Sequence, residues 1–141
     1  MQIKNILAKK GMNVITIRPD QTLRDVVAVL AQRKIGVLVV VDPGGKPVGI
    51  ISERDVIRIA HQTEDFFKIR IDAVMTKDVV VGSPDDDLKS VQQTMTQRKF
   101  RHLPVMEQGR LVGIVSISDL VKAIVEEYQG EIETLETQIT G

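Results

Sequence analysis

The feature that most narrows what this chain can fold into is that it carries one unit twice. Ile15–Gly44 aligns with Val80–Gly109 at an offset of 65 residues. After one extra glycine, Gly45, Lys46–Ala60 aligns with Arg110–Ile124 at an offset of 64. Fifteen of the 45 aligned pairs are identical, and they fall in order along the whole unit. They include Pro19/Pro84, Asp20/Asp85, Leu23/Leu88, the tripeptides Gln32-Arg33-Lys34 and Gln97-Arg98-Lys99, and Val48-Gly49-Ile50 with Val112-Gly113-Ile114. Ordered identity of this kind indicates duplication rather than shared composition. Two copies are too few for a solenoid, so a closed pseudo-twofold pair is expected.

Each copy reads as strand, helix, strand, strand, helix. In the first, Val14–Ile17 is a short extended run stopped by Pro19, and Leu23, Val26, Val27 and Leu30 recur at helical spacing. Val37–Val41 is a short apolar run, β-branched but for Leu38, which suits a buried strand. Asp42-Pro43-Gly44-Gly45 is turn chemistry, Val48–Ile51 the partner strand, and Glu53 restarts a helix. The second copy repeats this with Val79–Val81, Leu88–Arg98, His102–Met106, a turn at Gln108-Gly109, and Leu111–Val115. The expected organisation is a first unit with its lead-in over 1–62, a linker over 63–78, a second unit over 79–125 and a helical extension over 126–141. In the tail, Leu120, Ile124, Tyr128, Ile132, Leu135 and Ile139 are spaced by 4, 4, 4, 3 and 4, near one helical face. That face either packs within the protein or a sister subunit, or docks a different protein. Gly130 weakens the helix there by about 1 kcal/mol relative to alanine, enough to allow a bend or break.

Composition removes several classes of function. The 36 Val and Ile residues against 3% aromatics favour buried strands over a helical bundle. Lys and Arg balance Asp and Glu at 19 each, giving no global attraction to nucleic acid or an anionic membrane. No apolar run approaches the ~18 residues of a spanning helix, and Met1–Lys10 lacks a signal-peptide core. There is no cysteine, hence no thiol nucleophile or Cys-based zinc site, and His61 and His102 are the only histidines. A cytoplasmic protein is expected. No nucleophile, base and orienting group can be assembled, so catalysis is not expected. Asp85-Asp86-Asp87 reads as the dipole-favoured start of a helix rather than a metal site.

Two local signals remain. Ser52-Glu53-Arg54-Asp55 and Ser116-Ile117-Ser118-Asp119 each follow a glycine-containing strand end. Ser-x-x-Asp before a helix is a capping box. The same strand-to-helix turn also presents free N–H groups and a positive dipole end to an anion, an Asp one turn in for a cis-diol, and hydroxyls for phosphate oxygens. Capping and ligand binding are compatible. In Phe100-Arg101-His102-Leu103-Pro104-Val105, the proline marks a strand edge or entrance, and Arg101 and His102 either lie idle at the surface or neutralise a phosphate. The first copy has Gly36-Val37-Leu38-Val39 there, so paired sites would differ in preference.

Taken together, Ile17-Arg18-Pro19 with Thr22-Leu23, Gly49-Ile50-Ile51-Ser52-Glu53-Arg54-Asp55, Val74-Met75-Thr76, Arg98 through Val105, and Gly113-Ile114-Val115-Ser116-Ile117-Ser118-Asp119 resemble a tandem pair of CBS domains. The likeness covers nearly the whole chain and is greatest to small stand-alone bacterial CBS-pair proteins. It implies an α/β (α+β) fold in which two β-α-β-β-α units pack sheet to sheet about a pseudo-twofold axis, here with a long C-terminal helix. It also implies two clefts for adenosine-containing ligands such as AMP, ATP, NADH or S-adenosylmethionine. Carried over residue by residue, one cleft would join Ser116, Ser118 and Asp119 to Thr16, Ile35, Gly36 and Val37. Asp119 would then hold the ribose, the serines the phosphate, and the backbone near Val37 the adenine edge. The other would join Ser52, Arg54 and Asp55 to Val81, Phe100, Arg101, His102 and Leu103, with Val81 standing where the first copy has Thr16. The resemblance further implies a homodimer. The expected function is that of a non-catalytic nucleotide sensor biasing an unidentified partner protein; the alternative is a ligand-independent interaction module.

Overall fold

The structure, a computed structural model, describes residues 1–140. In chain order the elements are α1 (Ile3–Lys10), β1 (Thr16–Ile17), α2 (Leu23–Arg33), β2 (Val37–Val41), β3 (Pro47–Ser52), α3 (Glu53–Gln62), α4 (Leu88–Arg98), β4 (His102–Glu107), β5 (Arg110–Ser116) and α5 (Ile117–Thr140), with single 3-10 turns at Phe66–Lys68 and Ile71–Ala73. Two compact units result. One holds Asn13–Val80 with Gln108–Leu111; the other holds Met1–Met12, Val81–Glu107 and residues 112–140. No helix among the described residues is long and apolar enough to cross a membrane.

The unit of the first repeat is built on a three-stranded sheet in the order β1-β2-β3, with β1 parallel and β2 antiparallel to its neighbour. Leu38 and Val40, two apart on β2, join Ile17, Leu23, Val26, Leu30, Ile51, Val56 and Ile59 in one core. Strand alternation and helical spacing thus converge on the same interior. Ile71, from the 3-10 turn after the repeat, is fully buried in that core. Two residues of extended pairing, Thr16 and Ile17, are what remains of the expected strand from Val14.

The other unit holds β4, β5 from Val112 on, α4, α5 and α1, while the tip of the β4–β5 hairpin, Gln108–Leu111, belongs to the first-repeat unit. Gln108 and Gly109 turn the hairpin with φ of 50° and 75°, the left-handed geometry that two-residue hairpin loops demand. The strand expected at Val79–Val81 shrinks to one parallel bridge between Gly82 and Val105. Gly82 occupies the position of Ile17 in the first copy, and a glycine inside an extended run weakens it. The repeated tripeptides end α2 and α4 alike, with Lys34 and Lys99 as left-handed caps at φ 55° and 59°. Helix α5 continues through Gly130 without a break.

Each unit also takes in a segment that precedes the opposite repeat. On β3, Gly49 leaves room for Met75, and the N–H of Thr76 donates to the Ile50 carbonyl at 3.0 Å. On β5, the equivalent Gly113 leaves room for Leu7 of α1, whose Cδ2 would lie 2.6 Å from an added Cβ. Leu7, Ile3 and Ile6 are buried by this seating. Gly113→Val is expected to destabilise the protein by about 1–3 kcal/mol through overpacking. An unchanged urea midpoint would show that α1 does not seat on β5.

Candidate functional site

At the head of α3, the Ser52 N–H donates to Asp55 Oδ2 at 2.9 Å, and the Asp55 N–H donates back to Ser52 Oγ at 3.3 Å. At the head of α5, the Ser116 N–H donates to Asp119 Oδ2 at 2.8 Å, and the Asp119 N–H donates to Ser116 Oγ at 3.1 Å. Both recurrent tetrapeptides are therefore capping boxes, satisfying N–H groups that a helix start leaves without partners. The helix start is further tied to the neighbouring strand. Glu53 N–H donates to the Gly36 carbonyl and Ile117 N–H to the Arg101 carbonyl, each at 2.9 Å. Because Gly36 and Arg101 are repeat equivalents, the same frame holds both turns.

This frame gathers the candidate residues at one end of each unit's sheet. In the first-repeat unit, Val37 pairs with Ser52 across β2 and β3, Thr16 pairs with Val39 on β1, and Ile35 and Gly36 lead into β2. Arg54 and Thr16 are exposed, while Ser52 and Asp55 are half-buried. A Cβ on Gly36 would meet the Glu53 carboxylate at 3.2 Å, so that acid stands where the glycine offers close approach. In the other unit, Phe100, Arg101 and His102 lead into β4 beside Ser116, Ser118 and Asp119. Arg101, Ser118 and Val81 are exposed, but Leu103 is buried beside Gly82. The three consecutive aspartates are engaged at the start of α4. Asp87 caps the helix through Ser90 N–H, Asp86 accepts from Ser83 N–H, and Asp85 pairs with Lys4. Among the described residues no group of three His, Asp or Glu side chains is arranged to hold a metal ion.

The two aspartates differ in their cations. Asp55 Oδ1 meets Arg58, one turn along its own helix, at 3.1 Å. Asp119 Oδ2 instead receives Lys10 Nζ, from the end of α1, at 2.7 Å, and the same ammonium donates to the Ile114 carbonyl at 3.0 Å. Sequence reasoning missed Lys10. It lies ahead of the repeat, and nothing in its local pattern points to a partner 109 residues away. Between α1 and α5 lies a cavity of about 290 Å³ lined by Ile6, Lys9, Lys10, Asp119, Lys122 and Glu126, among others. Its lining sets three ammonium groups against two carboxylates, with Lys10 paired to Asp119 at 2.7 Å and Lys9 to Glu126 at 3.5 Å.

Burial alone raises the Asp119 carboxyl, but the bonds from Lys10 and from Ser116 outweigh it and hold its pKa below the ordinary aspartate value. The folded state then takes up this proton less readily than the unfolded chain. The stabilisation is present above about pH 4 and is lost as pH falls through the lowered folded value. Lys10→Met is expected to flatten this acid-side loss in urea melts compared with wild type. Identical profiles for the two proteins would remove Lys10 as its cause.

A protein-family model of the CBS domain matches residues 3–62 and again 71–126. The chain is similar to the CBS domain-containing protein CBSX3, mitochondrial, of Arabidopsis thaliana, with 32% identity covering 99% of this chain and 72% of that protein. Among solved structures it is similar to the CBS-domain containing protein ATU1752 from Agrobacterium tumefaciens, with 38% identity, a TM-score of 0.80, and coverage of 87% of this chain and 98% of that one. It is also similar to the CBS domain pair of protein MJ0100 in complex with 5′-methylthioadenosine and S-adenosyl-L-methionine, with 26% identity, a TM-score of 0.78, and coverage of 90% and 98%.

Proposed function

The chain belongs to the CBS-domain family, and from that premise we propose that it is a non-catalytic regulatory module that binds an adenine nucleotide and signals its level to a partner protein. The observation that carries this reading is the head of α5, where a half-buried Asp119 lines a cavity shared with Lys9, Lys10 and Lys122. In this reading Asp119 accepts hydrogen bonds from the ribose hydroxyls. Ser116 and Ser118 donate to the phosphate, and the lysines supply the charge that anionic phosphate needs. Adenosine compounds bound by the similar protein MJ0100 support the ligand class. Three lysines against Asp119 and Glu126 leave the lining with an excess of positive charge, which favours an anionic nucleotide such as AMP, ATP or NADH over a cationic sulfonium. At the head of α3, Ser52, Arg54 and Asp55 form a second candidate site that shares the capping turn, with Arg54 adding a cation where the other copy has Ser118. Ligand binding needs only about 1–3 kcal/mol of differential affinity between two states of the module to act as a signal.

The test is a thermal-shift panel with AMP, ADP, ATP, NAD, NADH, S-adenosylmethionine and GTP. A ligand at 100 times its dissociation constant adds about 2.7 kcal/mol of stability, well within the resolution of such a measurement. A shift with an adenine nucleotide and none with GTP is the expected result. No shift with any compound at millimolar concentration would replace this reading with the ligand-independent interaction module, for which the exposed face of α5 is the supporting observation.

A further inference from the structure

The CBS-domain match ends at residue 126, but α5 continues to Thr140, and every residue from Tyr128 to Ile139 is exposed. An unsupported helical segment this short is marginal in water, since isolated helices below ~12–15 residues rarely hold. The segment is not uniformly polar. Leu120 and Ala123 are buried inside the unit, whereas Val121, Val125, Tyr128, Ile132, Leu135 and Ile139 form a second apolar line, from 47% exposed at Val121 to 84% at Ile139. Their spacing alternates 4, 3, 4, 3, 4, the seven-residue repeat of a left-handed coiled-coil seam.

We propose that this seam pairs with the same seam of a second copy of this chain in an antiparallel two-stranded coiled coil. The sequence is self-complementary in that direction: Val121 layers with the partner's Ile139, Val125 with the partner's Leu135, and Tyr128 with the partner's Ile132, each layer occurring twice. Charge chooses between the two directions. Antiparallel pairing sets Lys122 beside the partner's Glu136 on both ends of the seam. Parallel pairing sets Glu131 beside the partner's Glu136 twice and faces Lys122 with Ile117, and like charges at flanking positions oppose association. The antiparallel arrangement has one acidic contact, Glu131 with the partner's Glu131 at the axis. Lys89 of α4 stands over the Tyr128 ring at 4.9 Å, close to that contact. Its pKa is raised chiefly by Tyr128, with Glu127 and Glu131 contributing.

The absence of cysteine makes the test direct. Full-length Val125→Cys and Leu135→Cys proteins are oxidised mildly, each alone and as an equimolar mixture after subunit exchange. A disulfide needs Cα atoms within ~7 Å, whereas like positions in the antiparallel pair lie about 15 Å apart along the helix. The expected result is a cross-linked dimer in the mixture and none with either protein alone. Adding Ile132→Glu, a change on an exposed face, to both proteins should abolish the cross-link. Cross-linking of each protein with itself would establish parallel pairing and overturn the proposal. So would absence of the link in the mixture, or its survival in the Ile132→Glu background.

Discussion

Asp119→Ala is expected to weaken adenine-nucleotide binding by about 1.5–3 kcal/mol, roughly a 10- to 150-fold rise in dissociation constant. The loss is this large because a carboxylate accepting from ligand hydroxyls makes charge-assisted bonds, and alanine leaves those hydroxyls without a partner. The same substitution removes the carboxylate half of the capping box at α5, worth about 1 kcal/mol of stability. It also releases Lys10 from its ion pair. Titration calorimetry well below the melting temperature, with circular dichroism to verify the fold, separates the two effects. Unchanged affinity in a folded Asp119→Ala protein would remove Asp119 from the site.

Leu120→Ala is expected to cost about 2–5 kcal/mol of stability, because a fully buried leucine leaves both lost transfer energy and a cavity. Against the 5–15 kcal/mol typical of a folded domain, that is a large fraction. Leu120 follows Asp119 directly and anchors the first turn of α5, while Asp119 lines the cavity. Chemical denaturation would register the change as a lower midpoint. A loss well under 1 kcal/mol would mean that the head of α5 is held by its caps and by α1 rather than by its own core contact.

Much of the candidate site was legible because its determinants are local. A Ser and an Asp three residues apart at a helix start find each other within one turn, so Ser52/Asp55 and Ser116/Asp119 could be read directly from the sequence. The helices of both repeats and the hairpin turn at Gln108-Gly109 were legible for the same reason. The tail was read less completely. Its helix was evident, but the line from Leu120 through Ile124 mixes two faces. Leu120 turns into the core, and the exposed seam begins one residue later at Val121. Periodicity reveals that a helix has an apolar side, but not which of two adjacent lines is buried against its own unit.

What the sequence determined by itself is the duplication, and with it the two like-built strand-to-helix turns that carry the candidate chemistry. Duplication leaves ordered identities, and capping and turn formation act over three or four residues. Only the tertiary structure decided which segments complete each unit: α1 seated on Gly113 of β5, and Met75 with Thr76 seated on Gly49 of β3. The bond between Lys10 and Asp119 belongs to the same class of decision. A short amphipathic helix carries an apolar face but no address. Where it packs is set by the one surface shaped to receive it, here the groove left by a missing Cβ on a neighbouring strand.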